Sequence, residues 1–458
     1  LWLREGPRRR ALARRAKIAR LVARRGAHWV GVKARGRALD EARRAALEER
    51  FAIRTAQDAA RELGQMKGVM MKAGQMLSFV AEGLPEEAKA ALASLQSDAP
   101  PMAPSLAEQV IEAELGAPPE RLFLAWDPTP VAAASIGQVH KATLRDGRDV
   151  AVKVQYPGIG EVINSDLDNA ELLYAVFSAL ALKSLDVRGI VDELRERMGD
   201  ELDYRIEAAS QAEFAARYDG HPFIRVPKVI PHCSGERVLT SEWMDGATWA
   251  EFEAQATPAA RQAAAEALFR FEQGSIYRHR VFNGDPHPGN YRFAADGSVT
   301  FLDFGLVKRW TKAETDVLWP LIDPLIDGDA ERTTELMVAA GFLRRDHGLD
   351  PQQVWTYVSR PYQPYLVEEF TFTREYVAEA LGAILDVHGP YRPVIERLNL
   401  PSSFVILDRV VWGVSALMGR LEARNRWRAI LAEYRKDAPP ATTQGELELA
   451  WRRRTGRG

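Results

Sequence analysis

Apolar residues near the start of the chain recur every three or four positions. Between residues 51 and 81 this spacing predicts one helix with a single buried stripe, and Gly83 followed by Pro85 predicts its end. The stripe comprises Leu63, Met66, Met70, Ala73 and Leu77.

A second helix is predicted over residues 105–115. Ser105 with Glu108 three residues later forms a capping-box pattern, and Gly116 is a typical residue to end a helix.

Alternating apolar and polar positions predict strands further along the chain. Residues 136–144 and 150–156 alternate and are joined by a turn containing Gly147, which predicts a hairpin, and 226–230 and 237–243 predict two more strands. The other predicted elements are helices over 159–183, 187–217, 249–281 and most of the chain beyond 311, with a short β interruption over 291–302.

This order of elements predicts the fold class. A helical extension precedes a small β-rich lobe and a large helical lobe, which is an α+β, protein-kinase-like two-lobed arrangement. The predicted divisions are a basic arm (1–50), a helical N-terminal extension (51–125), an N-lobe (126–245), a C-lobe (246–437) and a mobile tail (438–458).

Composition is that of a globular protein with more than one core. The 458 residues are 46% hydrophobic with a formal net charge of -2, which excludes a disordered, collagenous or disulfide-stapled chain. Cys233 is the only cysteine, so we expect a reducing compartment and no cysteine-built metal site. No apolar run approaches the roughly 18 to 20 residues that span a bilayer, so we expect a cytoplasmic protein without a transmembrane segment.

Charge is distributed unevenly along the chain. Residues 1–50 hold 16 basic and 5 acidic side chains, so this arm carries +11 and the other 408 residues carry -13. Two interpretations stay open: a solvated or self-docked arm, and an arm that binds an anionic membrane surface through residues 1–25, peripheral to the inner face of the membrane. Nucleic acid is not expected as a partner.

Lys153 is the first candidate functional residue. In the strand predicted over 150–156, three valines share one face, and Lys153 lies on the other face between small and polar neighbours. From the residues alone it is either an edge-strand lysine that reaches water or a lysine that binds an anionic partner.

A catalytic loop is predicted around Asp285. Asn290 stands five residues later, the spacing of the kinase D-x-x-x-x-N loop, and Asp303 with Phe304 and Gly305 follows an apolar strand. In kinases the first aspartate handles the proton of the nucleophile, while the asparagine and second aspartate hold magnesium. Each pattern is weak alone, but together and in this order they are a strong signal.

The chain resembles the UbiB/AarF family of atypical kinases from about Phe51 to Trp427. The family's K-x-G-Q signature is matched at residues 72–75, its alanine-rich substitute for the kinase glycine loop at 132–139, and its E-x-D element at 201–203. Glu207 stands where the family has the glutamate of its αC helix.

The resemblance implies a role for each matching residue. Lys153 would contact the α and β phosphates of ATP and pair with Glu207. Asn290 and Asp303 would hold magnesium, and Asp285 would accept a proton or orient water. The implied ATP-binding residues are Ala133, Ala134, Ser135, Ile136, Gly137, Gln138, Val139, Lys153, Glu242 and Met244, of which the last two belong to the hinge that meets adenine.

Lys72 and Gln75 are the implied regulatory residues of the first helix. They lie three positions apart and therefore share a face. The resemblance implies that this helix covers the cleft and meets the acids Glu201 and Asp203. Asp203 and Glu207 are four apart on the helix predicted over 187–217, and which acid meets Lys72 stays open.

Departures from ordinary protein kinases bear on the substrate. Asn283 and Gly284 replace the His and Arg of the usual H-R-D motif. A capping-box pattern at Thr311 with Glu314 leaves only residues 306–310 as an activation segment, which is too short to support a peptide substrate.

The residues and the resemblance together predict a magnesium-dependent, ATP-binding enzyme. It would act as an ATPase, or as a kinase of a small or lipid-linked molecule, in isoprenoid quinone or lipid metabolism. ATP and magnesium are the implied cofactors, and an isoprenoid lipid or quinone precursor is the implied ligand. Two alternatives stay open: a non-catalytic, nucleotide-gated lipid-binding scaffold and, less favoured, a true protein kinase.

Overall fold

The structure is a computed structural model that describes residues 102–134, 136–161, 163, 199–385, 389–399 and 402–456. The chain divides into two compact units. The first contains the residues up to 119, 127–140 and 153–202, and the second contains 120–126, 141–152 and the chain from Asp203 onward. In the described part of the chain, no helix is both long and apolar enough to cross a membrane.

Helices dominate the described residues. The α-helices are α1 (Pro104–Leu115), α2 (Pro119–Leu122), α3 (Tyr204–Arg217), α4 (Trp249–Gln255), α5 (Pro258–Gln273), α6 (Lys312–Asp327), α7 (Ala330–Ala339), α8 (Pro351–Val358), α9 (Arg374–Leu385), α10 (Arg392–Ile395), α11 (Ser402–Arg420), α12 (Trp427–Arg435) and α13 (Thr443–Thr455). A π-helical turn, Gly274–His279, follows α5 directly.

The strands are short apart from the first three. They are β1 (Phe123–Ala133), β2 (Gly137–Leu144), β3 (Asp149–Gln155), β4 (Ile224–Arg225), β5 (Val238–Glu242), β6 (Val281–Asn283), β7 (Tyr291–Phe293), β8 (Val299–Phe301), β9 (Val307–Arg309), β10 (Phe370–Thr371) and β11 (Arg424–Asn425). The main sheet has the order β1-β2-β3-β5, and a three-stranded sheet has the order β4-β8-β7.

The predicted hairpin of β2 and β3 is confirmed, with Gly147 in its turn at a φ of 88° that favours glycine. The strand β1 was not predicted. It lies at the edge of the sheet, where Pro128 and Pro130 are tolerated and most side chains are exposed, so it shows no alternation.

The two faces of β3 differ as the sequence predicts. Val150, Val152 and Val154 are fully buried, and Lys153 is only partly buried. Gln155 departs from this pattern, because it is buried and its side-chain nitrogen donates a hydrogen bond to the carbonyl of Leu202 at 2.9 Å.

Helix α1 agrees with the prediction except at its start. It begins at Pro104, one residue early, and its N-cap Ala103 makes no side-chain capping bond, so the predicted capping box of Ser105 and Glu108 is wrong. Proline at the first helical position needs no such partner. The predicted end is confirmed, since Gly116 adopts the left-handed conformation with a φ of 76°.

The helix predicted over 187–217 does not run through Asp203. Asp203 is the extended N-cap of α3, and its side chain accepts a hydrogen bond from the backbone nitrogen of Arg205 at 3.0 Å. Bonds from the Arg205 guanidinium hold the pKa of Asp203 below its ordinary range. Asp203 and Glu207 therefore do not share a helix face as predicted, because Asp203 is extended and precedes the first helical residue of α3.

The strand predicted over 226–230 is wrong as well. Only an isolated bridge between Val229 and Ser241 forms there, and the strand β4 lies just before it, parallel to β8. Pro227 lacks the backbone donor that a continuous ladder needs.

Helix α5 lies at the centre of the second unit's core. Phe271 stacks on Phe301 of β8 with ring centroids 3.7 Å apart, and Phe269 packs against Trp427 of α12 at 4.9 Å. These contacts anchor the β7–β8 hairpin, which presents the functional residues, on a helical core.

The chain after Lys436 does not form the predicted mobile tail. Arg270 of α5 is buried and binds Glu266 at 2.7 Å, Glu433 at 2.9 Å and Glu448 of α13 at 3.2 Å. Arg270 lies 178 residues from Glu448, so the local composition that suggested mobility could not reveal this contact.

A buried carboxyl in α5 gives the first testable prediction. Glu272 is 5% exposed, and burial raises the pKa of its carboxyl well above the ordinary 4.5. The folded protein therefore keeps this proton where the unfolded chain has released it. The contribution of this proton to the free energy of unfolding is fully present below about pH 4.5, and it is lost as the pH rises towards the raised pKa.

We expect Glu272→Gln to remove this loss, so that the free energy of unfolding of the variant, relative to wild type, is greater at pH 8 than at pH 5. Denaturant unfolding at both pH values measures the difference. Glu379→Gln, at an exposed position of α9, is the control. Equal effects of Glu272→Gln at the two pH values would contradict the prediction.

Candidate functional site

The loop that carries Asp285 begins at the end of β6. This strand pairs antiparallel with β9, Asn283 opposite Val307, and the nitrogen of Gly284 donates to the carbonyl of Leu306 at 2.7 Å. A Cβ at Gly284 would lie 2.9 Å from Cγ of Leu306 and 3.0 Å from Cγ2 of Ile406. This position therefore has no room for the arginine of an ordinary H-R-D motif.

The β7–β8 hairpin brings Asn290 next to Asp303. Tyr291 pairs with Phe301, and one step further the nitrogen of Leu302 donates to the carbonyl of Asn290 at 2.9 Å. The hairpin therefore brings together Asn290 and Asp303, which are thirteen residues apart in sequence, and the two predicted magnesium ligands are neighbours along the backbone.

Asp285 is buried, and both of its carboxylate oxygens have partners. Oδ2 accepts from Nδ2 of Asn290 at 3.2 Å, and Oδ1 accepts from a guanidinium nitrogen of Arg409 at 2.5 Å. The carboxylate is therefore held in one orientation within hydrogen-bond distance of a predicted magnesium ligand.

Asn283 links the two aspartates and was missed as a functional residue. Its Nδ2 donates to the carbonyl of Asp303 at 2.6 Å, and its Oδ1 accepts from the backbone nitrogen of Asp285 at 2.9 Å. The signal was available in the sequence, because Asn283 occupies the position of the histidine in H-R-D, but it was treated only as a departure.

The turn after β8 places Glu207 near Asp303. Oδ1 of Asp303 accepts from the nitrogen of Gly305 at 2.9 Å, and a Cβ at Gly305 would lie 3.6 Å from Oε2 of Glu207. Phe304 is 1% exposed and packs against Phe214 of α3, with ring centroids 4.8 Å apart. The helix that carries Glu207 is therefore packed directly on the Asp-Phe-Gly turn.

An ion-pair chain fixes α3 on its other side. Glu213 binds Arg217 at 2.8 Å and Arg309 of β9 at 2.7 Å. Arg217 also lies 2.9 Å from Nδ1 of His279. Burial, together with Arg217 and Arg278, lowers the pKa of His279 to about 4, so the ring is neutral at pH 7 and accepts from Arg217.

In the first unit, the alanine-rich segment includes the end of β1 and the start of β2. The nitrogen of Ala134 donates to the carbonyl of Gly137 at 2.8 Å. The side chain of Gln138 is buried, where its Nε2 lies 2.8 Å from Nε2 of His140 and its Oε1 accepts from the nitrogen of Met102 at 2.9 Å. Gln138 is therefore a structural side chain, and only its backbone remains a candidate for phosphate binding.

The predicted hinge follows β5. Oε2 of Glu242 accepts from the backbone nitrogen of Lys228 at 2.9 Å, and the nitrogen of Trp243 donates to the carbonyl of Asp149 at 3.0 Å. Met244 is partly buried and lies outside any helix or strand. Adenine binding by Glu242 and Met244 stays a prediction.

The remaining predicted residues that the structure describes belong to two different units. Lys153 and Glu201 belong to the first unit, whereas Asp203 and Glu207 belong to the second, so the pairing of Lys153 with Glu207 stays a prediction. Three predicted residues lie outside the described part of the chain: Lys72, Gln75 and Ser135.

Magnesium suits the donor atoms of Asn290 and Asp303. Nδ2 of Asn290 is committed to the carbonyl and Oδ2 of Asp285, at 3.1 and 3.2 Å, which leaves the amide oxygen as the metal-binding atom. In the described part of the chain, no three His, Cys, Asp or Glu residues form a metal site by themselves. Magnesium bound with a nucleotide needs none, since it takes one or two carboxylates along with phosphate and water oxygens.

Comparison with known proteins identifies relatives. A family model described as the ABC1 atypical kinase-like domain matches residues 94–337. The chain is 33% identical over 291 residues to protein ACTIVITY OF BC1 COMPLEX KINASE 1, chloroplastic, of Arabidopsis thaliana, covering 61% of this chain and 42% of that protein. It is 31% identical over 295 residues to the mitochondrial atypical kinase COQ8 of Saccharomyces cerevisiae, covering 64% of this chain and 58% of COQ8. The chain spans about half the length of the curated relatives it matches.

A solved structure supports the same fold. The complex of Rv3197 with erythromycin, from Mycobacterium tuberculosis, matches with a TM-score of 0.60 and 33% sequence identity, covering 81% of this chain and 93% of that chain. The family match and this structure confirm the predicted α+β, protein-kinase-like two-lobed fold.

The contacts of Asn283 give a testable prediction. Asn283→Ala leaves the carbonyl of Asp303 and the nitrogen of Asp285 without their partner at a buried position, so we expect a loss of about 1–3 kcal/mol in the free energy of unfolding. Denaturant unfolding measures it. Asn399→Ala, which removes one exposed hydrogen bond to the carbonyl of Gly341, should stay within about 0.5 kcal/mol of wild type. Similar losses for both variants would contradict the bridging role.

Proposed function

Because the chain belongs to the ABC1 (UbiB/AarF) family of atypical kinases, we propose that it binds ATP with magnesium and transfers the γ-phosphoryl group to water or to a small or lipid-linked acceptor. ABC1 relatives with the same domain occur in a chloroplast and in a mitochondrion.

One observation carries this proposal, the convergence of four side chains within the second unit. They are Glu207, Asp285, Asn290 and Asp303. They come from α3, the loop after β6, and the two ends of the β7–β8 hairpin. A phosphoryl-transfer site needs positioned oxygen ligands and an orienting carboxylate more than it needs a covalent nucleophile, and this set supplies both.

Each side chain has a separate task in the proposed reaction. Asp285 orients the attacking oxygen, because Arg409 and Asn290 hold its carboxylate in one direction. Asn290 and Asp303 hold magnesium through side-chain oxygens. When bound, the ion neutralises charge that develops on the phosphates. The family resemblance implies that Lys153 contacts the α and β phosphates.

The segment after Gly305 favours water or a small acceptor over a peptide. Residues 307–309 are paired with β6, and Thr311 and Glu314 form the reciprocal capping box of α6, as predicted. Lys308 is also bound to Glu314 at 2.9 Å. Since these residues already have structural partners, little chain is left to hold an extended peptide.

A role in isoprenoid quinone or lipid metabolism is part of the proposal. It is supported by the sequence signatures of the UbiB/AarF family and by the relationship to COQ8. An anionic membrane surface, bound through residues 1–25, would bring the enzyme to such a lipid-linked acceptor.

Asp303→Asn tests the proposed chemistry. The substitution keeps the shape but removes a charged oxygen ligand, so we expect magnesium to lose its effect on ATP binding and phosphate release to fall at least about 100-fold. Calorimetric ATP titrations with and without magnesium, together with phosphate release, measure this. The control is Asp346→Asn, at an exposed carboxylate paired with Arg344. Magnesium-dependent ATP binding and turnover equal to wild type in Asp303→Asn would reject the proposal.

Vesicle binding tests the basic arm. The full chain should sediment with vesicles that contain anionic phospholipid, and the bound fraction should fall steeply between low salt and about 0.5 M salt, because salt screens exposed charges. A chain lacking residues 1–30 should bind much less. Equal binding by the shortened chain, or binding to purely zwitterionic vesicles, would rule out the arm as the anchor.

A further inference from the structure

Helix α11 contacts the catalytic loop through one face. Ile406, Arg409 and Gly413 are three and four positions apart and share that face. They lie against the consecutive loop residues 284–286. A Cβ at Gly284 would lie 3.0 Å from Cγ2 of Ile406, and a Cβ at Gly413 would lie 2.3 Å from Cγ of Pro286. Between these close contacts, Arg409 binds Asp285.

The ion pair of Arg409 and Asp285 is buried. The two side chains are 10% and 11% exposed, and the nitrogen–oxygen distance is 2.5 Å. A carboxylate withdrawn from water tends to take up a proton unless an opposite charge lies close to it. The fixed guanidinium of Arg409 supplies that charge and holds the Asp285 carboxylate in one orientation.

The charge of Arg409 also suits a site for a polyphosphate. An uncompensated carboxylate beside ATP would repel its phosphates, whereas a carboxylate paired with arginine adds little net charge. Asp285 retains acceptor capacity for a nucleophile, because each carboxylate has about four lone-pair sites. The pair thus permits an orienting carboxylate next to an anionic substrate.

We propose that Arg409 is a positioning residue for phosphoryl transfer, holding the carboxylate of Asp285 in the direction of the nucleophile. This inference rests on the function proposed above. Arg409 lies in α11, beyond residues 94–337 that the family model matches, and an ordinary kinase motif would not locate it.

Other charged and titratable groups lie near the pair of Arg409 and Asp285, and their effects must be distinguished from those of the pair. Asp408 is the neighbour of Arg409 on α11, and burial raises the pKa of Asp408 to about 6. Tyr291 lies close enough to interact with the charge of Asp285, and its buried hydroxyl is neutral at pH 7.

The test compares Arg409→Met, Arg409→Lys and the double variant Asp285→Asn/Arg409→Met with wild type. Arg420→Met is the matched control, because Arg420 lies on the same helix and pairs with Glu253 away from the loop. Asp408→Asn is a second control, for the neighbouring charge on the same helix. The measurements are kcat and KM for magnesium–ATP hydrolysis and the thermal midpoints of the variants.

For Arg409→Met we expect kcat at pH 7 to fall at least about tenfold while KM changes by less than about threefold. Arg409→Lys should lower kcat less, because it keeps a positive charge near Asp285, and Arg420→Met and Asp408→Asn should leave kcat close to that of wild type. The double variant should have a higher thermal midpoint than Arg409→Met, because it leaves no buried charge alone.

Two results would overturn the inference. One is an Arg409→Met protein with the kcat of wild type. The other is an additive thermal cycle, in which the double variant loses the sum of the two single losses. If wild type hydrolyses no ATP, the proposed function fails first, and the thermal cycle with Asp285→Asn, Arg409→Met and the double variant still decides whether the two charges are coupled.

Discussion

Asp285 carries a charge at a buried position, and much of the second unit is arranged around that constraint. A buried carboxylate without partners costs several kcal/mol, so it persists only where opposite charge and hydrogen-bond donors surround it. Here the donors come from Asn290, five residues later, and from Arg409 in α11. The orientation that this imposes on the carboxylate is what makes the residue useful for phosphoryl transfer.

Two interlocked strand pairs hold the rest of the site. The β6–β9 pair fixes the start of the catalytic loop, and the β7–β8 hairpin fixes its end. The Asp-Phe-Gly turn lies between β8 and β9, so it is held by both pairs. Asn283 closes the arrangement by binding the backbone of Asp285 and of Asp303 with one amide. The positions of Asp285 and Asp303 relative to each other are therefore set by strand pairing and by Asn283, and not by a contact between the two aspartate side chains.

Helix α3 is held against the Asp-Phe-Gly turn and the following strand β9 by two contacts. Phe214 packs on Phe304, and Glu213 pairs with Arg309 in β9. A movement of α3 would have to break a buried aromatic contact and an ion pair together. This explains how the helix that carries Glu207 can be positioned without a long, phosphorylated activation segment: the short segment is itself a strand paired with β6 and a helix cap.

The sequence by itself determined the order of the lobes, the β2–β3 hairpin, the Asp285, Asn290 and Asp303 set and the cap at Thr311, because periodicity, turn chemistry and motif spacing are local. Prediction from the sequence was wrong where a residue distant in sequence stabilises an element, or where a capping residue interrupts a helical pattern. Asp203 is an extended N-cap within a stretch that periodicity predicts as one continuous helix, and α13 is held through Glu448 by Arg270, which is remote in sequence. Only the tertiary structure decided which groups neutralise the buried charges. Arg409 lies 124 residues from Asp285, and no spacing rule reaches that far, since the pairing depends on how α11 packs under the loop.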